Sequence, residues 1–290
     1  MLNESIHYGK VLMVSPEHFD VVYAINPHMT DEQGRLNQVN RELAQLQWQN
    51  VKAIFENTGL KVEIILGEKN LLDMVFAANQ SFLFKNATSG QFEVLISNMR
   101  SEFRKPETLY FYNWYKTHGY KVYASEEIFR DHPRLCFEGN GDIIPHPDFS
   151  IYWGGIGPRT DAKVYEILSK KLNLTFITLD LIHSDFYHLD TCFMVLNNHT
   201  CAYVAEAFDS VGLKHLDAKF KNLIRIEENE AKNFFAGNAF CPDGKNVVMH
   251  PGASRFKTAL EKNGFNVFEA DTSEYMKSGG SVFCMKMALI

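Results

Sequence analysis

NVVMHPGASRFKTALEKNGFNVFEAD, residues 246–271, reads as one strand–helix–strand unit. NVVMH is a short β-rich run. Ser254 is placed to cap the helical stretch RFKTALEKNG, and Gly264 stops it. NVFEAD then returns to a strand. Two short strands with a helix between them and little loop to spare point to α/β packing rather than an all-β fold.

The pattern recurs along the chain. KVLMVS, KVEIIL, FEVLIS, KVYA, FSIYWG, NLTFITLD, CFMVL and VFCMKMALI are further β-rich runs, and helical patterns lie between several of them. Residues 31–58 place Leu36, Val39, Leu43, Leu46, Val51 and Ile54 near a helical stripe that Gly59 ends. Residues 106–118 open at Pro106 and close before Gly119. Thr160 is placed to cap DAKVYEILSKKLN. KVEIIL, KVY and NLTFITLD follow these three helices. Identity between the units is too low for spacing alone to fix their number. No long Pro/Gly/Ser linker interrupts the chain, so one domain over residues 1–290 is expected.

Composition bounds the function classes. Apolar residues make up 46% and charged residues 22% of the 290, which is ordinary for a globular protein. The 23 phenylalanines read first as aromatic core packing. A formal charge of −6 advertises no nucleic-acid stripe. No apolar run is long enough to span a membrane. The opening segment MLNESIHYGKVLMVSPEHFDVV has acidic residues and only a short apolar run, unlike a signal peptide. The five cysteines are odd in number and form no CxxC pair. That argues against a disulfide framework or a zinc knuckle and fits a reducing compartment, so a cytoplasmic protein is expected.

Several segments carry polar groups beside apolar runs. In CFEGNGDIIP (136–145), Glu138 and Asp142 flank a glycine-rich turn whose Gly139 and Gly141 allow special dihedrals or close backbone approach. A P-loop would need a lysine and a following helix, and neither is present. A tight β-turn with surface carboxylates is the plain alternative. In FYHLDTCF (186–193), an extended strand would put His188 and Asp190 on one face. They read as a satisfied buried pair or as a functional one; the spacing lacks the logic of a metal motif. DMVFAANQS (73–81) reads as an apolar strand ending in Asp73 and Asn79. In ISNMRSEFRKPE (96–107), Arg100 and Arg104 suit a substrate carboxylate. They equally suit surface pairs with Glu102 and Glu107.

GGSVFCMKMALI (279–290) holds Cys284 in what reads as a final strand. Taken alone, this cysteine is a small buried hydrophobe. Taken with a histidine and several carboxylates, it is a nucleophile. A thiol attacks as its thiolate, and a histidine supplies the proton chemistry. Carboxylates suit a planar cation, which points to attack on a guanidinium or amidinium carbon. Spacing does not establish that these segments meet.

Eight pieces, in order along nearly the whole chain, resemble a known family. They are HFDVVYAINPHM (18–29), DMVFAANQS (73–81), SNMRSEFRKPE (97–107), FEGNGD (137–142), WGGIGPRTD (153–161), YHLDTCF (187–193), FFAGNAF (234–240) and GGSVFC (279–284). The set resembles the guanidine-modifying superfamily of five-bladed, pseudo-symmetric α/β propellers, the pentein fold. It includes arginine deiminase, dimethylarginine dimethylaminohydrolase and glycine amidinotransferase. The likeness is greatest to the branch with the cyanobacterial arginine dihydrolases.

The resemblance implies Cys284 as nucleophile, forming a thiouronium intermediate, and His188 as general acid and base. It implies Glu138 as orienter of His188 or of the guanidinium, and Asp190 as a guanidinium acceptor. Asp142 belongs to the motif without a distinct role. Arg100, Arg104 and Arg159 are candidates for the substrate carboxylate or for supporting salt bridges, with Arg100 and Arg159 favoured for substrate contact. Asn79 stands where arginine deiminases usually present an aspartate, and Asn26 is also typical of the dihydrolase branch. Residues Ser281, Val282 and Phe283 depart from the usual small residues and are expected to narrow the pocket. The implied reaction is hydrolysis of a C–N bond in arginine or a methylated arginine, with no cofactor and no metal. Amidine transfer to an amine and a non-catalytic guanidine-binding protein are the alternatives. The expected partner is a small cationic guanidino compound, not nucleic acid or membrane; monomer and homo-oligomer both stay open.

Overall fold

The computed structural model describes residues 8–290. The opening segment that bears on a signal peptide begins with residues 1–7, outside the described residues. Five small sheets follow one plan. The first holds β1 (Lys10–Val14) between β2 (Lys61–Ile65), its parallel neighbour, and β14 (Met287–Leu289), its antiparallel one. Helix Arg41–Asn57 makes the crossover from β1 to β2. In the second, β4 (Phe92–Ile96) lies between antiparallel β3 (Ser81–Lys85) and parallel β5 (Lys121–Tyr123), with helix Glu107–Thr117 crossing over. The third is β6 (Ile143–Pro145), β7 (Tyr152–Ile156) and β8 (Phe176–Asp180), with helix Ala162–Leu172. The fourth is β9 (Phe193–Asn197), β10 (Thr200–Tyr203) and β11 (Asn222–Arg225), with helix Ser210–Lys219. The fifth pairs β12 (Asn246–Met249) with parallel β13 (Asn266–Glu269) across helix Ser254–Lys262. A single antiparallel bridge, Phe240 to Val248, stands in for its third strand. The β-α-β unit read from residues 246–271 is therefore the repeat of a five-bladed α/β propeller. A parallel pair needs a crossover of this length, which is why each blade carries one helix.

Each blade's antiparallel element is preceded by a short turn at the centre. These turns end in Ala78–Gln80, Glu138–Asp142, His188–Cys192, Ala236–Ala239 and Ser281–Lys286. Hydrogen bonds link them in a closed ring. Asn140 N donates to Ala78 O at 2.9 Å and Leu189 N to Asp142 Oδ1 at 3.0 Å. Asn238 Nδ2 donates to Asp190 O at 2.9 Å, Phe283 N to Asn238 O at 2.9 Å, and Ala78 N to Cys284 O at 3.1 Å. The backbones come so close that side chains are excluded at some points. A Cβ on Gly139 would lie 2.2 Å from Ser81 O, and one on Gly237 2.2 Å from Thr191 O.

Aromatic side chains fill the space between blades. Phe82 meets Tyr152 and Phe137 edge-on at 5.3 and 6.4 Å, and Trp153 stacks on Phe220 at 5.2 Å. Such pairs add to what burial alone contributes.

Several local expectations give way. The first helix begins at Arg41, not near residue 31. Asp31 closes a turn with its side chain on the backbone of Gln33 and Arg35, and Asn40 caps the helix by accepting from Leu43 N at 3.1 Å. Its buried face is Ala44, Trp48, Val51 and Phe55, while Leu43 and Leu46 face solvent. Asp161, not Thr160, is the N-cap position of the third blade's helix, and Ser254 is the first residue inside the fifth's. Residues 73–80 are turns rather than a strand. FEGNGD contains one helical turn, Gly139–Asp142, and is buried with its carboxylates rather than a tight surface β-turn. His188 precedes the 3-10 turn Leu189–Thr191, so it and Asp190 do not share a strand face. The final strand covers only Met287–Leu289, leaving Cys284 in the turn before it.

Candidate active site

The central turns wall a narrow, partly open pocket with about 10 Å³ of water-accessible space. Asn26, Asn79, Arg104, Arg159, His188 and Cys284 line it, with Asp73, Phe76, Tyr187 and residues 278–280. Glu138 and Asp190 lie immediately behind His188 and Cys284. Asn79, His188 and Cys284 meet because each lies in the turn before its blade's antiparallel strand, while Asn26, Arg104 and Arg159 follow the middle strands of theirs.

Cys284 is buried. Its thiol donates to Asp190 Oδ2 at 3.2 Å and accepts from Asn238 Nδ2 at 3.1 Å. Asn238 Oδ1 in turn accepts from the backbone of Ser281 at 3.0 Å and of Cys284 at 3.2 Å. One amide therefore fixes both the turn and the sulfur. Burial pushes the thiol well above its usual range, and the Asp190 carboxylate pushes it the same way. Burial also pushes Asp190 up to about 7, against the hydrogen bond from the thiol and the charge of Lys286. Asp190 Oδ1 has no hydrogen-bond partner.

His188 pairs through Nε2 with Glu138 Oε2 at 2.7 Å. Glu138 also accepts from Arg159 Nη1 at 3.0 Å and from the backbone of Arg100 at 3.0 Å. Burial alone would raise the Glu138 carboxyl. The Arg159 charge and the His188 hydrogen bond outweigh it and hold the group well below the usual range. A carboxylate so held stays ionised and fixes the imidazole. Asp142 sits outside the pocket. It accepts from Thr160 Oγ1 at 2.7 Å and Leu189 N at 3.0 Å, and lies 4.0 Å from His188 Nε2. It anchors the turn that carries His188 rather than facing a substrate. Burial pushes it up to about 6 against the pull of His188.

The arginines divide. Arg100 points away: its side chain is 48% exposed and lies 3.6 Å from Asp161, so only its backbone reaches the site. This corrects the expectation of substrate contact. Arg104 lines the pocket, but every one of its nitrogens has a protein partner. Nε bonds Glu107, Nη1 bonds Asn79 Oδ1 at 3.0 Å, and Nη2 bonds the carbonyls of Asp73 and Phe76. These bonds make it an internal support of the pocket wall. Arg159 donates through Nη2 to Ile25 O at 2.7 Å and lies 5.0 Å over the Tyr187 ring. Asn26 is fixed by Ser278 O at 2.9 Å and by His28 N at 2.9 Å. Ser281 and Val282 do not narrow the pocket: both are fully buried, and Ser281 Oγ bonds Thr272 Oγ1 at 2.7 Å. Phe283 lines a separate cavity behind the site.

Residues that spacing did not single out are Asn238, Tyr187 and Lys286. Asn238 lay inside the matched FFAGNAF piece, but an asparagine among apolar residues carries no signal of its own. Among the described residues, no group of three or more His, Cys, Asp or Glu is arranged to hold a metal ion, and no helix is long and apolar enough to cross a membrane.

The model for the eukaryotic N,N dimethylarginine dimethylhydrolases matches residues 15–290. The bifunctional arginine dihydrolase/ornithine cyclodeaminase AgrE of Nostoc sp. is 32% identical over 280 residues, covering 96% of this chain and 37% of AgrE. The chain thus spans little more than a third of that relative. The N(G),N(G)-dimethylarginine dimethylaminohydrolase of Mycobacterium tuberculosis is 30% identical, with 96% of this chain and 84% of that enzyme covered. The product-bound N-terminal domain of ArgZ, a cyanobacterial arginine dihydrolase, superposes with a TM-score of 0.87 at 29% identity, covering 97% of each chain. The chain belongs to the N,N-dimethylarginine dimethylhydrolase family of guanidine-modifying enzymes.

Proposed function

We propose that this chain hydrolyses arginine by covalent catalysis at Cys284 and carries it past citrulline to ornithine, ammonia and carbon dioxide. The observation that carries the reading is the convergence of Cys284, backed by Asp190, and His188, backed by Glu138, on one pocket. The relatives are hydrolases, which favours hydrolysis over amidine transfer.

The steps follow from the side chains. Asp190, with a free oxygen beside the thiol, accepts guanidinium N–H groups. The bound cation offsets the carboxylate that holds the thiol protonated, so binding itself favours the thiolate. The thiol gives its proton to His188 and the sulfur attacks the guanidinium carbon. The C–N bond breaks, and His188 delivers a proton to the departing ammonia. His188, held by Glu138, then takes a proton from water. The water attacks the thiouronium carbon and releases sulfur and the ureido group of citrulline. A second round on that ureido group forms ornithine, with its carbon leaving as carbon dioxide and its nitrogen as ammonia.

Asn79 supports the second round. Arg104 only donates, so Asn79 turns Oδ1 toward it and presents Nδ2, which has no partner, elsewhere in the site. A donor there matches a ureido oxygen and not a guanidinium N–H. An aspartate would do the reverse. Incubation with arginine followed by mass spectrometry tests the proposal. Ornithine with two ammonia per arginine is expected. Citrulline as the final product overturns the second round. Dimethylamine from dimethylarginine, with arginine untouched, replaces the substrate.

A further inference from the structure

Behind the site, on the side of the turn opposite the pocket, a lysine is buried where no step above uses it. Lys286 is 1% exposed and follows Cys284 by two residues. The turn is tight: Met285 N bonds Ser281 O at 3.1 Å and Lys286 N bonds Phe283 O at 3.4 Å. Cys284 therefore faces the catalytic pocket, while Phe283 and Lys286 line the rear cavity with Tyr8, Asn140, Phe240 and Ala288. The ammonium lies 3.1 Å from the centre of the Phe283 ring and 4.3 Å from that of Phe240. Two aromatic faces favour the charged form, in a place where a buried charge is otherwise costly.

We infer that Lys286 is a positioning residue whose ammonium, seated on Phe283 and Phe240 behind the nucleophile turn, holds the Asp190–Cys284 pair toward its anionic form. The inference rests on Cys284 as nucleophile. The thiol's own neighbours oppose ionisation, since Asp190 is its hydrogen-bond partner. Lys286 supplies the opposing charge from behind, before any substrate arrives. The charges it senses are those of Asp190 and Cys284. Asp190 also senses Arg104, and Tyr187 and Cys192 share the neighbourhood. Burial lowers Lys286 to about 7, with Asp190 and Cys284 resisting. Its help is therefore strongest below about pH 7 and fades as the lysine gives up its proton.

The test is alkylation of Cys284 by iodoacetamide, followed peptide by peptide from pH 6 to 9, in the wild type and in K286M, K286Q and K286R. It needs no turnover, so its result is separate from whether Cys284→Ser abolishes activity. Losing the cation raises the thiol's ionisation midpoint. Alkylation at pH 6.5 is expected to fall about tenfold in K286M and K286Q, which corresponds to one pH unit, and to return in K286R. A neutral variant with a native melting transition and an unchanged pH curve overturns the inference. Loss of folding in both neutral variants, with K286R folded, also overturns it, since the charge then serves the fold and not the thiol.

Discussion

Cys284 donates to a carboxylate that is itself reluctant to ionise, and the thiol is reluctant too. In the ligand-free protein its reactivity follows the small thiolate fraction. Because its midpoint lies well above the ordinary range, iodoacetamide alkylation of Cys284 should keep rising from pH 7 to 9 without a plateau, by less than tenfold per unit near pH 7, where Lys286 loses its charge, and by about tenfold per unit above that. A plateau near pH 7 would show a preformed thiolate. Replacing Cys284 with serine should reduce turnover to background, measured by ammonia release. At Asp190 function and stability conflict. A carboxyl held up to about 7 when folded but near 3.9 when unfolded binds its proton more tightly in the folded state. Its contribution to stability is full at low pH and lost as pH rises through about 7. Asp190→Asn should therefore melt later than the wild type at pH 8, by on the order of 1 kcal/mol or more, while losing turnover. Equal melting at pH 8 would show the carboxylate is compensated. Asn79→Asp, which turns the donor beside Arg104 into an acceptor, should stop the reaction at citrulline.

The elements that matter most are the short turns, and these were the least legible from sequence. The strand–helix–strand units announce themselves because helix and strand periodicities persist over many residues. A turn of three or four residues has no period. FEGNGD, HLDT and the cysteine segment therefore read as glycine-rich turn, strand and strand, and each is a single coil at the hub. Glycine is required there by contact. Gly237→Ala would put a methyl 2.2 Å from the Thr191 carbonyl, and something must shift. We expect a loss of roughly 2 kcal/mol or more, read from denaturant midpoints, with turnover falling alongside because Asn238 is the next residue. Gly34→Ala is the control, with a strained φ of 74° and nothing within 4 Å; it should cost only about 1 kcal/mol. The first helix shows the other failure of pattern reading. Of the expected stripe Val51 is buried, but Leu43 and Leu46 are exposed and Ala44, Trp48 and Phe55 complete the buried face, because Asn40 sets the start and the blade selects the face.

Across the whole molecule, the ring of bonds from Ala78 to Asn140, Asp142 to Leu189, Asp190 to Asn238, and Asn238 and Cys284 back to Ala78 ties all five blades to the Cys284 turn. β14 closes the first sheet three residues beyond Cys284, with Met287 opposite Leu12 and Leu289 opposite Lys10. Leu289 is fully buried, so Leu289→Asp places an unpaired charge in that seam. It should remove several kcal/mol of stability and lower turnover through the cysteine turn. A melt that loses one blade while turnover persists would show that the ring is not a mechanical unit.

The sequence by itself determined the unit of the fold, the reactive residue types and, through eight ordered pieces, the family. It could do so because periodicity and motif chemistry are local properties. Only the tertiary structure decided which polar residues face the pocket. It turned Arg100 outward, committed Arg104 to Asn79 and Glu107, and put Asp142 beneath His188. It also brought Asn238 to the sulfur and Lys286 behind it. Those assignments depend on where five turns meet at one axis, and contacts between residues as distant as Asn26 and Ser278, 252 positions apart, leave no trace in local spacing.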